Sequence, residues 1–265
     1  MMKEILLITK DAEQAAEIAF AGRFAAQNQL KLVVAHTRAQ KQKNFQPEPV
    51  LVQNASATKD ISDKVNNWTN QAVLHESSAV VKPRIIDAAR FNENELVAFI
   101  RKENFAMVIS SPSAETPNLQ DILNQLSCPL LLLPELLPSI PISRMAYLTD
   151  LRYCQQPVLN NLSKLRGLSL LLAHVCQQGL PDVSPAYGEA LFADTIGKRN
   201  SRFELFFSHI KDTDMQKISD TLINTLRVDV LVCVNRQFHF QQLWGDRLPD
   251  KLPSHITIPV LIYPN

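Results

Sequence analysis

Two aspartates, two histidines and a shortage of glycine frame the chemistry open to this chain. Asp11 and Asp150 each follow a short apolar run. At Asp150 a carboxylate reads either as a helix N-cap or turn residue, accepting from the first amides of the next helix, or as a ligand-facing group, and one residue can do both. His36 and His174 close two further apolar runs, and they read as satisfied strand-end histidines rather than ligands or catalysts. Glycine contributes only six of 265 residues, about 2%, against a usual share of about 7%. Few positions therefore allow the backbone to crowd an anion. No Walker motif, G-x-G-x-x-G, G-x-S-x-G or H-E-x-x-H occurs. His239 and His255 share a segment with Asp246 and Asp250. Without cysteine pairs or i, i+4 spacing, no metal site is expected. Phe238-His239-Phe240 with Trp244 forms an aromatic patch. Core or interface packing is its default reading, and a ligand-stacking platform is the alternative.

The four cysteines, Cys128, Cys154, Cys176 and Cys233, form no C-x-x-C pair, and three lie in or beside apolar runs. They read as small buried hydrophobes in a reducing, cytoplasmic compartment. Lys and Arg number 27 against 26 Asp and Glu, which leaves no electrostatic footprint for nucleic acid or a membrane surface. The start, Met1-Met2-Lys3-Glu4, reads as a charged strand start and not a signal peptide. The longest apolar run, Pro129 to Pro134, is strand length and far short of the roughly 20 residues that cross a bilayer.

The elements that must position these residues alternate as in a parallel α/β sheet. Strands are expected at Ile5–Ile8, Lys31–His36, Ala79–Ile86, Ala106–Ser110 and Pro129–Leu133. Helices are expected near Ala12–Gln27, Asp60–Leu74, Asn94–Glu103 and Leu119–Leu126, with a long polar connection over Thr37–Ser56. Three prolines within Pro134–Pro141 exclude a helix or central strand and mark a linker. The pattern then restarts. Strands are expected at Arg144–Thr149, Leu168–His174, Phe203–Ile210, Val228–Val234 and Pro259–Tyr263, with helices at Gln156–Arg166, Tyr187–Lys198 and Met215–Leu226. Leu32-Val33-Val34-Ala35-His36 matches Leu170-Leu171-Leu172-Ala173-His174, and Cys128–Pro134 matches Ile258–Pro264. The sequence is therefore read as an internal duplication: residues 1–135, a linker over 136–141, and residues 142–265.

These landmarks resemble the universal stress protein family. The second copy carries Leu148-Thr149-Asp150, Ala173-His174-Val175, Asp229-Val230-Leu231-Val232-Cys233 and Ile258–Pro264. The first carries Ile8-Thr9-Lys10-Asp11, Ala35-His36-Thr37, Ala106–Ser110 and Cys128–Pro134. The resemblance implies two tandem doubly wound domains of the adenine nucleotide alpha hydrolase-like, Rossmann-like class. Each would hold five parallel strands, with a pseudo-two-fold relation and pairing through the last strands.

The resemblance also implies a nucleotide site at the carboxyl ends of the strands. Asp150, and Asp11 displaced by one position, would approach the adenosine. Val175 and Thr37 would lie near the base. A G-x-x-G-x9-G-[ST] loop would wrap the phosphates with its amides. That loop is eroded here: Val234 and Gln237 replace its first two glycines, and Gly245 stands third with Asp246 in place of Ser or Thr. In the first copy Ser111 and Ala114 replace the glycines, and the stretch from Ser111 to Pro129 is shorter than the family's. The expectation is a cytoplasmic, non-catalytic stress-response or regulatory protein, without a tightly bound cofactor, acting through a protein partner or a small ligand. Homodimerisation stays open. The alternative is a sensor that binds AMP or ATP weakly through Asp150, Val175 and Gly245.

Overall fold

The computed structural model describes residues 3–10, 14–37, 83–89, 91–112, 114, 119–138, 141–149, 156–175, 184–193, 204–212, 214–245, 248–249 and 251–265. The chain divides into two compact units, Met1–Pro117 and Asn118–Asn265. In the first, β1 (Glu4–Thr9), α1 (Ala15–Gln27), β2 (Lys31–His36), β3 (Arg84–Asp87), α2 (Glu93–Glu103) and β4 (Met107–Ser110) follow in order. The strands lie in the order β3-β2-β1-β4, all parallel. Ile5 to Ile8 of β1 are fully buried. That is why the strand reads as an unbroken apolar run rather than an alternating one. A capping box starts α2: Glu95 N–H donates to Asn92 Oδ1 at 3.0 Å, and Asn92 N–H donates to Glu95 Oε2 at 2.9 Å.

The second unit holds α3 (Leu119–Gln125), β5 (Leu130–Leu132), β6 (Arg144–Thr149), α4 (Gln156–Leu162), β7 (Ser169–Val175), α5 (Pro185–Leu191) and β8 (Glu204–Ile210). Then come α6 (Met215–Asp220), which widens into a π turn over Thr221–Thr225, β9 (Val230–Val234), α7 (Gln237–Leu243) and β10 (Val260–Tyr263). The order is β5-β10-β9-β6-β7-β8, with every pair parallel except β5 with β10. The last strands of the two sequence repeats do pair, Leu131 opposite Leu261. The contact boundary consequently falls upstream of the proline-rich stretch, because α3 and β5 pack within the second unit.

The duplication is written into backbone conformation as well as sequence. Gln29 (φ 54°) and Asn104 (φ 55°) end the helices that lead into β2 and β4. Gly167 (φ 66°) and Arg227 (φ 51°) sit at the matching corners before β7 and β9. A left-handed residue lets the helix stop and the chain turn back to the sheet. Thr9 pairs with His36 in one unit, and Thr149 with His174 in the other.

Element ends shift from the sequence expectations. The third strand is Arg84–Asp87, and residues 79–82 lie outside the described residues, as do 38–82 as a whole with the expected helix at 60–74. The helix expected from Tyr187 starts earlier, at Pro185, because Ser184 caps it and proline suits the first helical position. Its expected end at 194–198 also lies outside the described residues. Helix α7 has no counterpart among the expected elements.

Gln29 is exposed and left-handed, so Gln29→Gly is expected to stabilise the fold by about 0.5–1 kcal/mol, and Gly167→Gln to destabilise it by about 1 kcal/mol. Guanidinium unfolding midpoints measure both.

Candidate functional site

Parallel sheets present their ligand-binding edge at the carboxyl ends of the strands. In the first unit that edge carries Asp87, His36 and Thr9 in register on adjacent strands, with Ser110 and Ser111 ending β4. Carboxylate, imidazole and hydroxyl in a row suggest nucleophilic catalysis, but the distances do not support it. Thr9 Oγ1 donates to Glu17 Oε2 at 2.7 Å, a contact buried beneath α1. His36 Nδ1 stands 3.9 Å from Asp87 Oδ1, beyond hydrogen-bond length. Thr37 turns both its amide and its hydroxyl toward the Thr9 carbonyl, at 2.9 and 3.4 Å. The Ser111 amide donates to Ile8 O at 3.0 Å and the Ala114 amide to Ser111 O at 3.1 Å. Asp11 lies outside the described residues.

The second unit carries the row His209, His174, Thr149 on β8, β7 and β6. His174 Nδ1 and His209 Nδ1 are 2.9 Å apart, with ring planes 15° apart. One ring must donate and the other accept, so a single proton lies between them. Val175 ends β7 and is 1% exposed. Its carbonyl accepts from Gln242 Nε2 at 3.3 Å. Asp150 and Asp246 lie outside the described residues.

Gln242 belongs to α7, which follows β9 at the carboxyl edge of the sheet. Its attachment is dense. His239 Nδ1 lies against the Val234 backbone, 3.0 Å from its amide, which donates to it, and 3.1 Å from its carbonyl. His255 Nε2 donates to Leu243 O at 2.8 Å. Asn235 exchanges side-chain hydrogen bonds with Gln120 (3.2 Å) and Asn124 (2.9 Å) of α3. Phe240 and Leu243 are buried, and the Phe240 and Trp244 rings pack with centroids 5.5 Å apart.

The backbone of this segment is turned inward as well. The amide of Asn235 donates to Tyr263 O at 2.7 Å and that of Arg236 to Val234 O at 2.6 Å. His239 and Phe240 donate to Arg236 O, while Trp244 and Gly245 donate to Phe240 O. Gly245 (φ 117°) therefore serves to end α7. Of the aromatic patch, Phe240 and Trp244 pack on each other, and among the described residues no group of three metal ligands exists.

Cys233, at the end of β9, and Cys128 are free and buried. Burial pushes the Cys128 thiol up to about 11, and complete burial pushes Cys233 higher. Burial raises the Tyr263 hydroxyl in the same way, with Tyr147 beside it adding to the effect.

No protein-family model and no curated protein sequence matches the chain. Solved structures do. A universal stress protein from Archaeoglobus fulgidus DSM 4304 superposes with a TM-score of 0.55 at 10% identity, covering 100% of this chain and 97% of that one. A proposed universal stress protein from Pseudomonas aeruginosa UCBPP-PA14 gives 0.53 at 13% identity, covering 99% and 93%. The chain has the tandem universal-stress-protein fold. The cytoplasmic domain of a prokaryotic cation chloride cotransporter also superposes, with a TM-score of 0.50 at 8% identity, covering 99% and 95%. The Thr37 amide, the Val175 carbonyl and the Gly245 amide all bond within the protein. Sequence reading passed over Glu17, His209 and Gln242. His209 was recoverable, since it falls one strand beyond His174 in register; Glu17 and Gln242 carry no sequence signal of their partners.

His239→Ala leaves the buried Val234 amide without its acceptor and is expected to cost about 1–3 kcal/mol, read from urea unfolding. Burial keeps the Cys128 and Cys233 thiols protonated at pH 8. Thiol labelling of native protein should therefore leave the Cys128 and Cys233 peptides unmodified, with labelling appearing on unfolding.

Proposed function

We propose that this chain is a non-catalytic, cytoplasmic relative of the universal stress proteins. On this reading it acts in stress response or regulation by binding a protein partner or a small ligand, and tight ATP binding has been lost. One observation carries the reading. The amides of Val234, Asn235, Arg236, His239, Phe240, Trp244 and Gly245 all donate within the protein, where a phosphate loop would aim amides at the anion. Each charged hydrogen bond to a phosphate is worth about 1.5–3 kcal/mol. Losing two or three weakens binding by roughly two to six orders of magnitude. In the first unit the Ser111 and Ala114 amides are likewise engaged.

The absence of catalysis is supported by the same edge. The Thr9 hydroxyl proton belongs to Glu17, and His36 contacts Asp87 only at 3.9 Å. The hydroxyl–carboxylate pairs are Thr9 with Glu17, buried beneath α1, and Ser143 with Asp229, whose carboxylate also accepts two amides; both read as structural contacts rather than as an exposed nucleophile beside its base. No helix among the described residues is long and apolar enough to cross a membrane. The fold itself is neutral, since it is shared with the cytoplasmic domain of a cotransporter.

Thermal unfolding with 1 mM ATP, ADP or AMP tests the proposal. A nucleotide bound at about 10 μM would stabilise by about 2.7 kcal/mol and raise Tm by several degrees. The expected result is no shift with any of the three. A shift with ATP of that size overturns the reading. A shift of about a degree with AMP favours the weak sensor that would use Asp150, Val175 and Gly245.

A further inference from the structure

The opposite, amino-terminal edge of the second unit's sheet holds a cavity of about 610 Å³, lined in part by Ser143, Arg144, Gly167, Ser169, Glu204 and Arg227. That volume falls within the usual range for small-molecule sites, about 300–1,000 Å³. We propose that this cavity binds a small oxyanion-bearing metabolite, a carboxylate or phosphate held by Arg144 and Arg227.

The two units differ at this corner in a way that changes its charge. In the first unit, Arg84 opens β3 and donates to Glu4 Oε2 at 3.1 Å and Glu103 Oε2 at 2.7 Å. Those two carboxylates raise the Arg84 guanidinium pKa, with the Glu103 hydrogen bond the largest contribution. Strand register and the matching corner place Arg144 where Glu4 stands, Phe206 where Arg84 stands, and Leu226 where Glu103 stands. Both carboxylates have gone, and the cation has moved to the neighbouring strand.

Arg144 is nevertheless held in place. One of its N–H groups donates to Leu226 O at 2.9 Å, and its guanidinium lies 5.8 Å from the Phe206 ring centroid. A ring face and a carbonyl orient the guanidinium without neutralising it. It keeps donors that have no acceptor among the described residues. Asp229, the carboxylate behind it, accepts from Ser143 N, Ser143 Oγ and Arg144 N at 2.8–2.9 Å and does not line the cavity. Arg227 has no hydrogen bond or ion pair among the described residues and projects from its left-handed corner. Gly167 forms the facing corner. The hydroxyl protons of Ser143 and Ser169 are directed to Asp229 and to Ser143 O, so the arginines supply the donors. Glu204 is the one acidic group lining the cavity, and it opposes highly charged anions.

Titration of the ¹⁵N-labelled full chain with inorganic phosphate and, separately, with acetate at constant ionic strength tests the proposal. The Gly167, Leu168 and Ser169 amide signals should move and saturate with at least one probe, and which of the two does so identifies the oxyanion. Arg227→Asn retains a residue that tolerates the left-handed conformation. It should weaken binding by about ten- to a hundred-fold, the range for one charged hydrogen-bond partner. Glu204→Gln, an exposed position, should strengthen binding a few-fold by removing a like charge. Shifts that chloride reproduces, or saturation unaltered by both variants, overturn the proposal.

Discussion

A peptide N–H has one strong hydrogen bond to give, and burial leaves it little freedom to wait for a ligand. This constraint governs the carboxyl edge of the second unit. After β9 the chain gives its amides to Val234 O, Tyr263 O, Arg236 O and Phe240 O, and the last amide of β9, that of Val234, goes to the His239 ring. A glycine-rich loop leaves such donors exposed and pays for it in conformational entropy. Here the segment winds into a short helix, and the amides of His239, Phe240, Trp244 and Gly245 donate within the segment. Val175, Gln242, His239 and His255 all follow from that choice, because each meets a group that α7 brings or buries.

The two copies kept their strands and changed their edges. Strand interiors must stay apolar, since they are covered on both faces; Ile5 to Ile8 and Leu170 to Ala173 accordingly remain aliphatic. Strand ends are under no such demand. At the carboxyl edge Asp87 became His209, exchanging a carboxylate beside His36 for a second imidazole beside His174. At the amino edge a three-member ion cluster became an arginine stacked on phenylalanine. Each exchange altered local charge without touching the register that carries the fold.

This division explains what could be read in advance. Apolar runs bounded by prolines and polar residues located the strands, and their recurrence located the repeat. The pairing of β5 with β10 was legible because both strands carry the same Pro-flanked apolar run. Helix α7 was not legible. Phe238-His239-Phe240 lacks a clear 3.6-residue polar stripe, and Arg236 offers no side-chain cap, so nothing local signals a helix. The bond from Thr9 to Glu17 and that from Gln242 to Val175 join residues 8 and 67 positions apart. Only packing brings them together. Asp150 and Asp11 lie outside the described residues.

A nucleotide base approaching Val175 would meet Gln242 already on its carbonyl. Clearing Gln242 by undocking α7 would also displace His239, Phe240 and Leu243, all buried on the same seven-residue helix. Undocking α7 would expose two apolar side chains at about 1.5–3 kcal/mol each. It would also orphan the Val234 amide and the Val175 carbonyl at about 1–3 kcal/mol each. Even the low end of that range, on the order of 5 kcal/mol, holds the open form near one molecule in several thousand. Apparent affinity falls by the same fraction. A base with nanomolar intrinsic affinity would then bind only in the micromolar range. On the proposed reading, α7 alone would thus obstruct both a base at Val175 and a phosphate beside β9.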